Sequence, residues 1–141
     1  MKLTTKSRYG TRAMVDIALN YEKGPVSLKD LAERQGVSVK YLEQIIPTLK
    51  AAGFIRSIRG ASGGYTLAKS AHHIKILDII RALEGSLSPV DCVDMPKICP
   101  RVRECATHDI WKEVHKAING ILGSQTLADL AERQTKKQEH K

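Results

Sequence analysis

Residues Ser27 to Leu67 read SLKDLAERQGVSVKYLEQIIPTLKAAGFIRSIRGASGGYTL, and their punctuation decides the architecture. Ser27 offers an oxygen to a free helix N-terminal amide, and Asp30 places negative charge in the positive first turn. Leu28, Leu31 and Ala32 face inward until Gly36 ends the helix. Two residues later Ser38 caps a second helix, which runs to Ala52 before Gly53. Leu42, Ile45, Ile46 and Leu49 recur along its inner face at helical spacing. Two helices joined by so short a glycine-bearing link form a helix-turn-helix. Phe54–Ile58 and Tyr65–Ala68 then read as strands around Arg59-Gly60-Ala61-Ser62-Gly63-Gly64, a glycine-rich tip with one cation at its base. A helix-turn-helix followed by a basic β-hairpin is a winged helix.

Upstream, Ala13, Met14, Ile17, Ala18 and Tyr21 mark a helix from about Arg8 to Tyr21, stopped by Gly24-Pro25. Downstream, Ile76, Ile79, Ile80 and Leu83 form a helical stripe that Gly85 terminates. Residues 86–104 are loop-like, with Pro89, Pro96 and Pro100. A long helix follows from Ala106 to Leu122. Its Ile110, Val114, Ala117 and Ile121 stand at 4-3-4 spacing with Ile118 beside them, an apolar seam suited to a homodimer. A short helix, Thr126 to Gln134, and a frayed charged tail end the chain. The expectation is a mainly α protein with a two-stranded β wing. It divides into a DNA-binding domain (1–85), a cysteine-bearing loop (86–105), a dimerisation helix with a short C-terminal helix (106–134) and a flexible tail (135–141). Residues 28–35, LKDLAERQ, recur almost intact as LADLAERQ at 127–134, one capped-helix solution used twice.

At 141 residues the chain can bury a core without disulfide staples. Only 4% of residues are aromatic, so Leu, Ile, Val and Ala must fill that core. Residues 1–70 carry 12 Lys/Arg against 5 Asp/Glu, whereas 71–141 carry 11 against 10. The positive field therefore belongs to the N-terminal half and calls for a polyanion, nucleic acid or an anionic membrane surface. No basic helix also shows a large exposed apolar face, which disfavours the membrane. The start has no signal-peptide apolar core and no apolar run approaches a membrane span, so the cytoplasm is the expected compartment. Nothing resembles a nucleophile triad, a P-loop or a dinucleotide fingerprint, which argues against an enzyme. An electron carrier would leave the wing and the basic half unexplained.

Cys92, Cys99, Cys105 and His108 are separated by six, five and two residues. Cys105 and His108 open the long helix three positions apart, on one face. A helix N-terminus also favours the thiolate that metal binding needs. Three sulfurs and one imidazole suit structural zinc, and they suit a 2Fe–2S cluster with one cysteine replaced. The donor chemistry alone leaves that choice open.

Four stretches carry a resemblance: MKLTTKSRY (1–9), ERQGVSVKYLEQ (33–44), the wing RGASGGY (59–65), and the cysteine block through Thr107-His108-Asp109-Ile110-Trp111. The chain resembles the IscR-type iron–sulfur cluster regulators, a bacterial winged-helix family, over nearly its whole length. The resemblance implies a homodimer with a 2Fe–2S cluster on Cys92, Cys99, Cys105 and His108, regulating iron–sulfur assembly genes. Some related regulators that hold 4Fe–4S clusters recruit an aspartate near the N-terminus, where this chain has Arg8. The first cysteine gap is six residues where the family has five, and Pro47 falls inside the recognition helix, where a kink is expected.

For DNA reading the exposed start of the recognition helix is the candidate: Lys40, Tyr41, Glu43 and Gln44. Gln44 can address an adenine edge and Glu43 can accept from a cytosine amino group. Glu43 would also repel phosphates and so reject wrong sequences, a discriminating role the resemblance assigns to it too. Arg59 suits a narrow minor groove. Ser38, Thr5, Ser7, Arg8, Arg56 and Lys50 are candidate phosphate contacts. A symmetric dimer would read a near-palindromic operator in double-stranded DNA.

Overall fold

The computed structural model describes residues 3–140. Helix α1 (Thr5–Leu19) begins three residues before the expected Arg8, because the Thr4 hydroxyl caps it by accepting from the Ser7 amide. Helix α2 (Leu28–Gln35) is capped by Ser27, which accepts from the Asp30 amide at 3.1 Å, and stopped by Gly36 at φ 66°. Helix α3 (Val39–Ala51) is capped by Ser38, which accepts from the Tyr41 amide at 3.0 Å. Its buried residues are Leu42, Ile45, Ile46 and Leu49, the four the spacing selects. Pro47 does not interrupt α3. The ring lies on the exposed face, and the carbonyl it leaves without an amide belongs to exposed Glu43, where water can serve it.

Strands β1 (Ile55–Ile58) and β2 (Gly64–Leu67) pair antiparallel, from Ile55 opposite Leu67 to Ile58 opposite Gly64. Val26, just before α2, bridges to Tyr65, each amide donating to the other residue's carbonyl at 2.8 Å. That bridge seats the wing against the helix-turn-helix. Gly64 is required there: its φ is 153°, and a Cβ would lie 2.3 Å from the Val26 carbonyl oxygen.

Helix α4 (Ile76–Glu84) buries Ile76, Leu77, Ile79, Ile80 and Leu83 against α1 and α3. Gly10 of α1 lets α4 approach closely, since a Cβ would stand 2.5 Å from a Leu83 methyl. The segment that follows is a chain of single turns: α5 (Asp91–Asp94) and 3-10 turns at 96–98 and 102–104. Helix α6 (Ala106–Gly123) then packs against α5 and α4, and α7 (Leu127–Glu139) follows it.

One expectation about the C-terminal part is corrected. Residues 135–139 are not a frayed tail. They continue α7, held by the Thr135 hydroxyl on the Ala131 carbonyl and by a Lys136–Glu132 pair one turn apart. Helix α7 is also tied to the winged helix. The Leu127 amide donates to the Ile74 carbonyl, the Ile76 amide donates to the Gln125 carbonyl, and α7 packs on α1. Leu127 is fully buried in the core of the winged helix, a burial that stabilises by about 1.5–3 kcal/mol. Asp16 adds a polar tie inside this half. Arg34 grips it bidentately at 2.7 and 2.9 Å and Gln35 donates at 2.9 Å, joining α1 to the end of α2. Among the described residues, no helix is long and apolar enough to cross a membrane.

Candidate nucleic-acid interface and cysteine loop

The caps and the buried stripe of α3 fix its rotation, so Lys40, Glu43 and Gln44 project outward from its first turns. Arg59 stands exposed at the base of the wing, with Arg56 and Lys50 exposed nearby in sequence. Tyr41 is different. It is half-buried, its ring meets Tyr9 edge-on at 6.0 Å, and its hydroxyl donates to the Thr5 hydroxyl at 3.1 Å. Tyr41 and Thr5 therefore join α3 to the start of α1. The Ser38 oxygen is engaged in its cap. Ser7 is corrected outright: it is 1% exposed, turned inward by the helical phase that buries Gly10 and Met14, and no phosphate reaches it. Arg8 is exposed, with its guanidinium 6.0 Å from the Tyr9 ring centroid. Arg12 was missed by sequence reasoning. It lies one turn beyond Arg8, 5.1 Å from the same ring, and donates to the Gln35 side chain at 3.0 Å. The i, i+4 spacing from Arg8 was the signal.

The cysteine segment is partly assembled. Cys92 on α5 meets His108 on α6, with sulfur and Nδ1 3.3 Å apart. His108 is the one residue of α6 that is buried. Cys105, at the N-cap of α6, has its sulfur 3.0 Å from the Thr107 hydroxyl. Hydrogen bonds from Thr107 and from the His108 amide lower its thiol below the usual range. Cys99 sits half-buried between the two 3-10 turns. The expectation that all four donors converge is thus met for two. Among the described residues no three His, Cys, Asp or Glu side chains are grouped as a metal site. The reason is local: the Cys105 sulfur turns to its neighbour Thr107, and single turns carry Cys99 along a separate path. The donor set still fits a thiophilic centre, because three free thiols and one imidazole share a segment of short turns and one thiol is biased toward thiolate.

On α6, Ile118 and Leu122 face the core of the winged helix, which removes Ile118 from the expected dimer seam. Ile110, Val114, Ala117 and Ile121 keep their 4-3-4 line and are exposed, with Trp111 alongside. The four large side chains of this face are 37–66% exposed.

Comparison with known proteins agrees with this layout. The family model of Rrf2, described as an iron-dependent transcriptional regulator, matches residues 3–133. The chain is 52% identical over 130 residues to Protein rrf2 of Nitratidesulfovibrio vulgaris, covering 92% of this chain and 87% of that one. It is 40% identical over 134 residues to the HTH-type transcriptional regulator IscR of Klebsiella pneumoniae, covering 95% and 82%. Among solved structures, CymR, the global cysteine regulator of B. subtilis, aligns with a TM-score of 0.83 at 40% identity over 94% of this chain and 98% of that one. The IscR of T. potens aligns with a TM-score of 0.78 at 45% identity over 95% and 88%. These relatives are transcriptional regulators and not enzymes. A winged helix with an exposed recognition face, matched along nearly all its length by such proteins, belongs to the Rrf2 family of transcriptional regulators.

Proposed function

We propose that this protein is a cytoplasmic, homodimeric regulator of iron–sulfur assembly genes whose DNA preference follows the state of a 2Fe–2S cluster. Cys92, Cys99, Cys105 and His108 would hold the cluster, and the similarity to IscR proteins supports that assignment. The observation that carries the reading is the Cys92–His108 contact, which unites a thiol and an imidazole across α5 and α6 beside the exposed apolar face. When bound, such a cluster supplies a labile, redox-active centre whose potential the histidine raises relative to all-thiolate ligation.

The remaining steps fall to the chain itself. Two copies joined along Ile110, Val114, Ala117 and Ile121 would present two α3 helices to successive major grooves, about 34 Å apart. Lys40 and Arg8 would meet phosphates, Gln44 an adenine edge, Glu43 a cytosine amino group, and Arg59 the minor groove. Helix α6 starts at the cysteine donors and ends with Ile118 and Leu122 on the DNA-binding core. Displacement at its start is therefore transmitted to α4 and the helices packed on it.

Anaerobic purification with iron, sulfide and zinc analysis tests the centre. A red-brown protein with equal iron and acid-labile sulfide is expected, and the Cys92→Ala variant should lose both. A colourless protein with one zinc per chain would replace sensing with a structural ion at the same donors. Footprints of the wild type and Cys92→Ala on the same promoters test the coupling, and identical site preference would remove the switch.

A further inference from the structure

The repeated sequence LKDLAERQ/LADLAERQ puts an Arg-Gln pair at the end of α2 and in the middle of α7, and the fold brings the two pairs to one cleft. Arg34-Gln35 and Arg133-Gln134 both line this space of about 900 Å³ beside α1. The first pair has its ligand inside the protein: Arg34 and Gln35 together hold the Asp16 carboxylate through bonds of 2.7 to 2.9 Å. The second pair has the same donors and holds no carboxylate directly, since Asp129, one turn back on α7, acts on Arg133 without forming an ion pair. Arg133 reaches only the neutral side-chain oxygen of Gln125, at 2.8 Å.

The surroundings of the second pair point the same way. Arg8, Arg12 and Lys137 also line the cleft, and among the described residues none of them forms an ion pair. Among the described residues Asp16 is the one carboxylate that lines the cleft, and Arg34 already neutralises it. Thr11 lies on the α1 side with its hydroxyl oxygen shut off from solvent and without a hydrogen-bond partner. Val15, Leu19, Ile80 and Leu130 supply apolar wall. Unspent cations, an unpartnered hydroxyl and apolar wall together suit an anion with a hydrocarbon body.

We propose that this cleft binds a small amphiphilic carboxylate, with Arg133 and Gln134 taking the head as Arg34 and Gln35 take Asp16. Lys137 and Arg12 add positive charge around the head, and the body lies against Val15 and Leu130. No cysteine of the chain lines the cleft.

Titration calorimetry on the full-length protein with octanoate tests this, with octanol and acetate as probes of each half of the ligand. Saturable octanoate binding is expected, at least about tenfold tighter than either control. The pair Arg133→Gln with Lys137→Gln should weaken it at least about tenfold, while Lys136→Gln, altering a neighbouring cation paired to Glu132, should leave it unchanged. Circular dichroism checks that α7 persists in the variants; should it melt, Arg12→Gln replaces them with the same expectation. Absence of saturable octanoate binding overturns the site, as does octanol binding equally well. Binding indifferent to loss of Arg133 and Lys137, or of Arg12, overturns it too.

Discussion

Helices α3 and α6 carry similar apolar stripes and put them to opposite uses. In α3, 13 residues long, Leu42, Ile45, Ile46 and Leu49 are all buried within the chain, leaving a polar outer face free. In α6, 18 residues long, His108 alone is buried, and Ile110, Trp111, Val114 and Ile121 meet solvent. Burying an apolar side chain fully stabilises by about 1.5–3 kcal/mol, so the first helix has exhausted that source and the second has not. One helix is positioned by its own protomer. The other keeps an apolar face that the second copy of the proposed dimer would cover.

The largest effect should come from denying α6 its partner. Val114→Glu with Ile121→Glu should give monomers in sedimentation equilibrium and weaken operator binding about a thousandfold, roughly 4 kcal/mol, since both half-sites can no longer be held at once. A variant that stays dimeric would break the comparison. Next, Leu49→Ala should cost about 2–5 kcal/mol in denaturant unfolding. In the monomeric Val114→Glu/Ile121→Glu background, Ile110→Ala should cost less than about 0.5 kcal/mol, because its side chain is already in water. Equal costs would mean that α6 packs within the protomer. Smaller again is the outer face of α3: Glu43→Ala should leave folding untouched and relax discrimination at one base pair by about 1–3 kcal/mol, read by competition among operator variants.

The smallest effect concerns helix ends. Cys105 gives α6 no side-chain cap, whereas Thr126 and Asp129 form a reciprocal box on α7. Hydrogen bonds from the Thr126 amide and hydroxyl hold the Asp129 carboxyl below its usual range. A lowered folded-state value means that the carboxylate's contribution is complete above the ordinary aspartate value of about 3.9 and is lost as pH falls through the lower one. Thermal melts of Asp129→Asn should therefore show a shallower decline than wild type between about pH 5 and pH 2.5. An unchanged slope would remove the box as its source.

The winged helix was legible because each of its parts has a local marker. Ser27, Gly36 and Ser38 bound their helices by side-chain and backbone chemistry that acts within four residues. Gly64 marks a backbone conformation that few other residues tolerate. The inward face of Ser7 was not legible, because the expected helix began at Arg8 and left Ser7 outside it, whereas α1 starts at Thr5 and carries Ser7 on the face of Gly10 and Met14. The extent and seat of helix α7 were not legible either. Its role rests on Leu127 meeting Ile74 and on packing against α1, contacts between residues far apart in sequence. The cysteine segment was legible as donor chemistry and not as geometry. Spacing says which atoms are available, but single turns such as α5 leave their directions to tertiary contacts.

The backbone pairing of 74–76 with 125–127 has a consequence for how the molecule is assembled. The chain leaves the winged helix after Leu87, travels through the cysteines and α6, and returns to lock its last helix onto the first. Residues 88–123 are thus an insertion in a finished body rather than an appendage at its end. Closing a longer loop between anchored ends costs only about 0.6 kcal/mol per doubling of length. The inserted segment can vary in size while the winged helix keeps its shape, and cutting the chain before Leu127 should unseat that body even though all of α3 and the wing remain.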